Sequence, residues 1–314
     1  MSLSLVLQLL IAGLAAGAIY SLIALGYTMV YGIIELINFA HGDVFMLGSF
    51  FSIAILSFLG ISVGSRPTGL ALVGIIILTA LGAMLICAVL GVVIERVAYR
   101  PLRNAPRLAP LISAIGVSLI LEDIGKLWKG NTNVSFPQIF PLVYFKLGPV
   151  NLRSIDLFVL VVAVLLMLGL QFMINRTRIG RAMRAVAQDR EAAALMGVNV
   201  DRIISFTFFV GAALAGAAGF IYGLQFGSTV FTIGFNLGLF AFTAAVLGGI
   251  GNIVGAMVGG ILLGVIESFT TLVPDTILPN GGSAWARAII FGILILILVF
   301  RPSGLFGQHT PEKV

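Results

Sequence analysis

The chain has 314 residues, of which 60% are hydrophobic and only 10% are charged, and its mean hydropathy is +1.14. A soluble domain carries about 25% charged residues, so this composition excludes a water-soluble globule and favours a membrane protein. The single cysteine, Cys87, excludes an internal disulfide and a cysteine-based metal cluster. The net charge of +6 comes from basic residues in short segments between apolar runs, which indicates membrane topology, and we expect no nucleic-acid partner.

Apolar runs recur along the whole chain, and they lack the long period-two alternation of barrel strands. Because a helix needs about 20 apolar residues to cross a bilayer, these runs predict membrane-spanning helices. The predicted spans are residues 5–30, 44–60, 69–93, 108–125, 155–174, 204–224, 236–250, 253–270 and 286–300. The sequence therefore predicts an all-α, polytopic helical bundle of eight or nine transmembrane helices, formed as a single domain over residues 1–314 in the lipid bilayer.

Polar residues interrupt the apolar sequence between the first two spans, in the string YGIIELINFAHGDVFMLG of residues 31–48. Asn38, His41 and Asp43 lie there at membrane depth or at its edge. Gly42 weakens helix continuity beside them. One interpretation is a broken helix next to protein or to a water-filled substrate path. The other is local: Asp43 caps the next helix, and Asn38 and His41 pair with nearby backbone. From the residues alone, both interpretations stay open.

Basic residues are concentrated in three segments that an alternating chain places on one side of the membrane. Residues 95–110 contain four arginines, residues 175–202 contain six, and the tail adds Arg301 and Lys313. Cytoplasmic loops carry an excess of Lys and Arg, so these segments and the C-terminus are predicted to be cytoplasmic. The longest external segment is then 128–156, which either receives an external partner or serves only as a connector.

The segment 175–202, NRTRIGRAMRAVAQDREAAALMGVNVDR, is polar between two apolar spans and carries six arginines and three acids. Asp189 is a good helix N-cap, Glu191 lies where the helix dipole favours an acid, and Gly197 is placed to end the helix. The alanine-rich REAAALM between these positions favours a helix. We interpret this segment as a short helix that docks into a groove on another protein. The alternative is a solvated loop with an incidental helical turn.

Small residues recur at helical spacing in the span that follows the string LGGIGN. The two predicted stripes are Gly251, Gly255 and Gly259, and Ala256, Gly260 and Gly264 with Glu267 in line. Such stripes let helix backbones pack closely in lipid, so this helix is predicted to be central. Asn252 is interpreted as the helix cap, with a gate-lining role as the alternative. Glu267 is interpreted either as a polar group at an outer mouth or as a helix end among lipid headgroups.

Four blocks of this sequence resemble one family of transporters. Glu191, Ala192 and Ala193, with Gly197 downstream, are similar to the EAA-type loop of ABC importer permeases, the segment that contacts the ATPase subunit. The resemblance to branched-chain amino-acid permeases, in particular to the shorter of their two permease subunits, lies in GRAMRAVAQDREAAALMGVNVDRI, INFAHGDVFMLGSF, LGGIGNIVGAMVGGILLGVIE and GVVIERVAYRPLRNAPRLAPLISAIGVSLIL. Family members usually have Glu at the position of Asp43, so this chain keeps the charge on a shorter side chain.

The resemblance implies a membrane-spanning subunit of an ATP-driven importer of branched-chain amino acids in the bacterial inner membrane. The partners it implies are a second related permease, two ABC ATPase subunits and an external solute-binding protein. The ATPase-coupling site that it implies consists of Asp189, Arg190, Glu191, Ala192, Ala193 and Gly197. The candidates for the translocation path or its gate are Asn38, His41, Asp43, Asn252 and Glu267.

No G-x-x-x-x-G-K-[ST] motif occurs in the sequence, so no ATP site is expected in this chain. The resemblance implies that partner subunits use the ATP, and we expect this chain to be neither an enzyme nor a cofactor binder. His41 and His309 are far apart and form no HExxH pattern, so no metal site is expected. Other function classes remain as alternatives. One is an ion-coupled secondary transporter or channel, which the broken segment favours. Another is an ABC permease for urea, amides or other amino acids.

Overall fold

The computed structural model describes residues 3–103, 105–106, 108–147, 150–274, 277 and 281–307. Within these residues the chain is a bundle of helices. The α-helices are α1 (Leu3–Ile34), α2 (His41–Phe58), α3 (Gly69–Ile94), α4 (Leu108–Lys129), α5 (Ser154–Arg176), α6 (Arg178–Gln188), α7 (Arg190–Leu195), α8 (Val200–Phe226), α9 (Ile233–Gly248), α10 (Ile253–Thr270) and α11 (Gly281–Phe300). A π-helical turn (Glu95–Tyr99) and a 3₁₀ turn (Arg100–Leu102) extend α3. Lys313, predicted to lie in a cytoplasmic tail, and His309, which the sequence places in no metal site, lie outside the described residues.

The predicted spans coincide with these helices. Among the described residues, seven helices are long and apolar enough to cross a membrane, and α9 and the Ala284–Phe300 part of α11 are shorter apolar helices. The all-α membrane bundle is therefore confirmed. About two thirds or more of the apolar window is buried in α1, α2 and α8, at 67%, 72% and 67%, but only 22–28% in α3, α4 and α5. Helices α1, α2 and α8 therefore form the centre of the bundle. Helices α3, α4 and α5 present large apolar side chains outward, as contact with lipid requires.

The described residues also form four short strands. β1 (Val134–Ser135) pairs with β4 (Ser228–Thr229), and β2 (Tyr144–Leu147) pairs with β3 (Val150–Arg153), both antiparallel. β2 and β3 form a hairpin in the segment 128–156. Phe136, in the same segment, is buried and lies against Gly223 of α8. The part of the segment around Phe136 is therefore packed onto the bundle.

The two small-residue faces of α10 pack against two different helices, as the sequence pattern predicts. Gly255 and Gly259 face α9, and Gly260 and Gly264 face α1. A Cβ on Gly17 of α1 would lie 2.7 Å from the Ile261 Cα, so the two backbones are in direct contact. The prediction that Gly251 belongs to one of these stripes is wrong, because Gly251 precedes the helix. The chain turns at Gly251, with a φ of +92°, before Asn252 caps α10.

The bundle has two ends, and the arginine-rich segments share one of them. At that end α7 contacts the end of α1, and the π-turn after α3 is bonded to the start of α8. The chain after α11 joins the same end, where the Leu305 N–H donates to the Leu247 carbonyl at 2.8 Å. At the opposite end, the Ser268 hydroxyl of α10 donates to the Leu9 carbonyl of α1 at 2.7 Å. We call these the α7 end and the Glu267 end.

Candidate coupling segment and buried polar cluster

The polar segment at the α7 end forms two consecutive short helices. Thr177 caps α6, its side chain accepting from the Gly180 N–H at 3.1 Å. Asp189 caps α7, its Oδ1 accepting from the N–H groups of Glu191 and Ala192 at 2.9 Å each. These side chains satisfy donors that a helix start leaves unpaired. The predicted N-cap role of Asp189 is therefore confirmed, and the segment is ordered.

Gly197 ends α7 in the conformation that its sequence position predicts. Its φ is +83°, a left-handed value that side chains with a Cβ rarely adopt. The Gly197 N–H donates to the Ala194 carbonyl at 2.9 Å, and the Val198 N–H donates to the Ala193 carbonyl at 3.0 Å. This pair of bonds is the Schellman motif, which fixes the direction in which the chain leaves the helix.

Two large apolar side chains are exposed at the end of α7, on a surface that also carries the exposed Glu191. Leu195 and Met196 are 89% and 84% exposed, and Ala192 beside them is also exposed. Ala193, in contrast, is buried against the bundle, so it holds α7 in place and is not available to a docking partner. Leu195 and Met196 are not among the predicted docking residues, although two large apolar residues at the tip of a polar segment are a recognisable signal.

Arg190 connects α7 to the first transmembrane helix. Its Nη2 donates to the Ile33 carbonyl at 2.9 Å, in the last turn of α1. Basic side chains stabilise the end of a helix because its last carbonyls lack partners within the helix. Glu35 follows with a φ of +55°, so the chain reverses sharply there. A cavity of about 530 Å³ lies between α7 and this reversal, bordered by Glu35, Tyr99 and Arg103.

After the reversal, the chain enters the bundle and α2 begins inside it. His41 lies directly against Gly26, about two turns before the end of α1, and the ring centroids of His41 and Tyr27 are 4.9 Å apart. Asp43 accepts a hydrogen bond from Ser118, which lies near the middle of α4. The helical chain is therefore broken between Ile34 and His41, as the broken-helix interpretation predicts, and His41 and Asp43 are buried in the bundle.

The local interpretation of the same residues is wrong in two details. Asp43 is not the N-cap of α2, because Ala40 precedes the first helical residue, His41. Asn38 pairs with a side chain, since the Tyr99 hydroxyl donates to its Oδ1 at 3.0 Å. The part of the chain that the structure describes offers no hydrogen-bond partner to Asp43 Oδ1 or His41 Nε2, and both atoms are buried.

Asn252 and Glu267 lie away from this cluster. Asn252 caps α10: its Oδ1 accepts from the Gly255 N–H at 3.0 Å, and its Nδ2 donates to the Phe306 carbonyl at 2.9 Å. The predicted cap is confirmed. Glu267, at the other end of α10, accepts a 2.5 Å hydrogen bond from the Tyr20 hydroxyl. The five predicted path residues therefore occupy three separate places, and only Asn38, His41 and Asp43 lie together.

A buried acid that is absent from the predicted site residues joins the turn after α3 to α8. Glu95, in the π-turn, is fully buried; it accepts from Arg103 and, at 2.7 Å, from the Ser205 hydroxyl of α8. Arg100 and Arg103 both bond Asp201 at the start of α8. The signal was an acid within the apolar string VVIERV, a residue type that requires a partner at such a position.

These features define a multi-pass helical membrane protein that presents one ordered polar segment at one end. A protein-family model described as the permease component of branched-chain amino acid transport systems matches residues 9–299. The high-affinity branched-chain amino acid transport system permease protein BraD of Pseudomonas aeruginosa is 44% identical over 98% of this chain and 98% of its own. The corresponding protein LivH of Escherichia coli K12 is 42% identical over 98% and 97%. LivM of Salmonella typhimurium is 28% identical over 50% of this chain and 36% of its own.

The chain therefore belongs to the family of branched-chain amino acid transport permeases.

Proposed function

We propose that this chain is the transmembrane subunit of an ATP-driven importer of branched-chain amino acids, and that separate ATPase subunits bind it at α7. The observation that carries the proposal is that α7 is capped at both ends, exposes Leu195 and Met196, and is bonded through Arg190 to the end of α1. Family membership and the names of BraD and LivH support the transport role and the choice of substrate.

The remaining partners follow from the same proposal. The similarity to LivM supports a second, related permease beside this one. Two ATPase subunits occupy the α7 end and use the ATP, and a solute-binding protein delivers the amino acid at the Glu267 end. The excess of arginine at the α7 end supports a cytoplasmic location for that end and for the chain that follows α11, in the bacterial inner membrane.

In this mechanism, closure of the ATPase dimer displaces α7. The displacement reaches α1 through Arg190, and α1 moves with α10 because their backbones are in direct contact at Gly17. Tightly packed helices shift as blocks, so the path between the permease subunits opens alternately to each side. Asn38, His41 and Asp43 lie directly after α1 and are the candidates for contact with this path.

Crosslinking tests the proposal. Single cysteines are placed at Ala192 and Ala194, both exposed on α7, and the control cysteine replaces Leu142 in the segment 128–156. The native Cys87 is fully buried and does not compete. We expect Ala192→Cys and Ala194→Cys, but not Leu142→Cys, to capture an ATP-hydrolysing subunit in the complete transporter. Failure of both α7 cysteines to capture one contradicts the proposal.

Reconstitution separates the importer from an ion-coupled carrier. Proteoliposomes with the complete complex are expected to accumulate radioactive leucine only with ATP, and to lose uptake when the ATP site of the partner subunits is inactivated. Uptake by this chain alone that collapses with an uncoupler would instead identify a secondary transporter.

A further inference from the structure

We propose that a cavity at the Glu267 end binds the charged head group of an α-amino acid, with Arg153 bonding the carboxylate and Glu267 bonding the ammonium group. This inference rests on the proposed function for the identity of the cargo. The cavity has a volume of about 360 Å³, within the range of roughly 300–1,000 Å³ that is usual for small-molecule sites. α1, β3, α8, α9 and α10 all contribute to its lining. The cavity thus has a positive and a negative side chain in its lining and a volume that suits a small molecule.

Arg153 is held in place by a buried acid. Its Nε and Nη2 donate to the Asp156 carboxylate at 2.9 and 2.7 Å, and Asp156 itself is 4% exposed. Asp156 also accepts from Gln225 Nε2 at 2.7 Å, so three elements fix the orientation of the guanidinium. The hydrogen bonds to Asp156 raise the pKa of Arg153, which therefore stays charged. A guanidinium has five N–H donors, and Asp156 uses two, which leaves donors for a second carboxylate.

Glu267 supplies the opposite charge. Tyr20 donates to its Oε2 at 2.5 Å, which leaves Oε1 available, and the side chain is only half-buried. A carboxylate within a membrane-spanning helix is costly without a partner, and no cation among the described residues forms an ion pair with it. An ammonium group in the cavity would provide that partner.

Gln225 supports the same assignment independently. Its Nε2 is committed to Asp156, so the amide is oriented, and its Oε1 is buried without a hydrogen-bond partner in the described part of the chain. Gln225 lines the cavity together with Glu267. An ammonium group has three donors and needs several acceptors, and an orphaned amide oxygen beside a carboxylate matches that need.

Apart from hydroxyl groups such as those of Ser268 and Thr271, the lining also includes apolar and small side chains. Ala12 and Ala16 of α1 and Leu237 of α9 border the cavity beside the charged groups. Small side chains leave room for a branched aliphatic side chain, which gains from leaving water. The cavity therefore combines charged groups for the head group with apolar side chains that can contact the aliphatic part of the amino acid.

The test uses the complete transporter in nanodiscs, with its partner subunits, ATP, and the solute-binding protein loaded with a diazirine analogue of leucine. After illumination, labelled peptides are mapped by mass spectrometry. We expect label on peptides that contain Ala12, Ala16 or Leu237, displaced by excess leucine. Glu267→Gln is expected to lower this labelling at least tenfold, and Glu267→Asp to restore part of it. The control is Asp123→Asn, an exposed acid of α4 that does not line the cavity.

The melting temperature of each variant complex separates a binding defect from misfolding, and Glu267→Gln is expected to stay within a few degrees of the parent. Labelling confined to peptides around Asn38 and Asp43, labelling that leucine does not displace, or equal labelling in Glu267→Gln would each overturn the inference. If the parent complex imports leucine with ATP while any of these results is found, only this inference fails. If it does not import leucine, the proposed function fails as well.

Discussion

The guanidinium of Arg190 donates to the main-chain carbonyl of Ile33, so the short helix α7 and the first transmembrane helix are joined by a direct hydrogen bond. The two residues are separated by 157 positions in the sequence. The contact lies one residue before the end of α1, immediately before the reversal at Glu35. A displacement of α7 therefore acts on the point where the chain turns back into the bundle.

Arg190→Ala is expected to uncouple transport from ATP hydrolysis. A hydrogen bond from a charged group contributes about 1.5–3 kcal/mol, which corresponds to a tenfold or larger loss of ATP-driven uptake. Arg190→Lys should retain part of the uptake because it keeps a donor but loses the reach of the guanidinium. The measurement is leucine uptake and ATP hydrolysis in proteoliposomes, with Arg181→Ala, at an exposed position of α6, as the control. Equal loss in the control would show that Arg190 acts only through net charge.

Gly197→Val is expected to disrupt the end of α7. A β-branched residue at a φ of +83° is strained by about 1–2 kcal/mol, and the two Schellman bonds weaken with it. Gly197→Asn should be tolerated, since Asn adopts the left-handed conformation more readily. Co-purification of the ATPase subunits measures the effect: we expect loss with Val and retention with Asn. Retention with both would mean that the exit direction of the chain does not matter for docking.

Gly17→Leu is expected to separate α1 from α10. A Cβ at Gly17 would lie 2.7 Å from the Ile261 Cα and 2.8 Å from the Gly260 carbonyl oxygen, so backbone must move to accept it. Overpacking of this kind costs about 1–3 kcal/mol. Gly74→Leu is the matched control, because nothing lies within 4 Å of a Cβ at that position of α3. Thermal unfolding in detergent should show a lower melting temperature for Gly17→Leu alone.

Asp43→Asn is expected to leave folding intact and to reduce uptake by about tenfold or more. A buried carboxylate costs free energy when its hydrogen bonds are incomplete, and Asp43 Oδ1 has no partner among the described residues. An amide of the same shape should therefore give an equal or higher melting temperature. Ser118→Ala, which removes the hydroxyl donor but keeps the charge, separates the two contributions. Unchanged uptake with Asp43→Asn would remove this residue from the list of path candidates.

The features that the sequence predicts well are those set by near neighbours. Asp189 and Asn252 cap the helices that directly follow them, and Gly197 ends the helix that directly precedes it, because cap chemistry depends on a few adjacent residues. The helical spans follow in the same way from local hydrophobicity. Glycine stripes predict which helix packs closely against its neighbours, but they do not predict which helices those neighbours are.

The features that the sequence does not predict are contacts between distant elements. Tyr20 bonds Glu267 across 247 positions, and Arg190 bonds Ile33 across 157. Asp43 is displaced from its expected cap position because α2 begins one turn earlier than the polar pattern suggests, with its first turn inside the bundle. A single sequence gives each of these residues many possible partners, and tertiary packing alone selects one.

The contact between α1 and α10 joins the first helix of the described chain to the penultimate one. During synthesis, the surface of α1 that carries Gly13 and Gly17 remains without its partner until some 240 further residues have been synthesised. In a nascent or truncated chain that lacks α10, the glycine-containing face of α1 is therefore exposed to lipid, whereas α10 covers this face in the finished protein. We expect such incomplete chains to be the form that membrane quality-control proteases recognise and degrade.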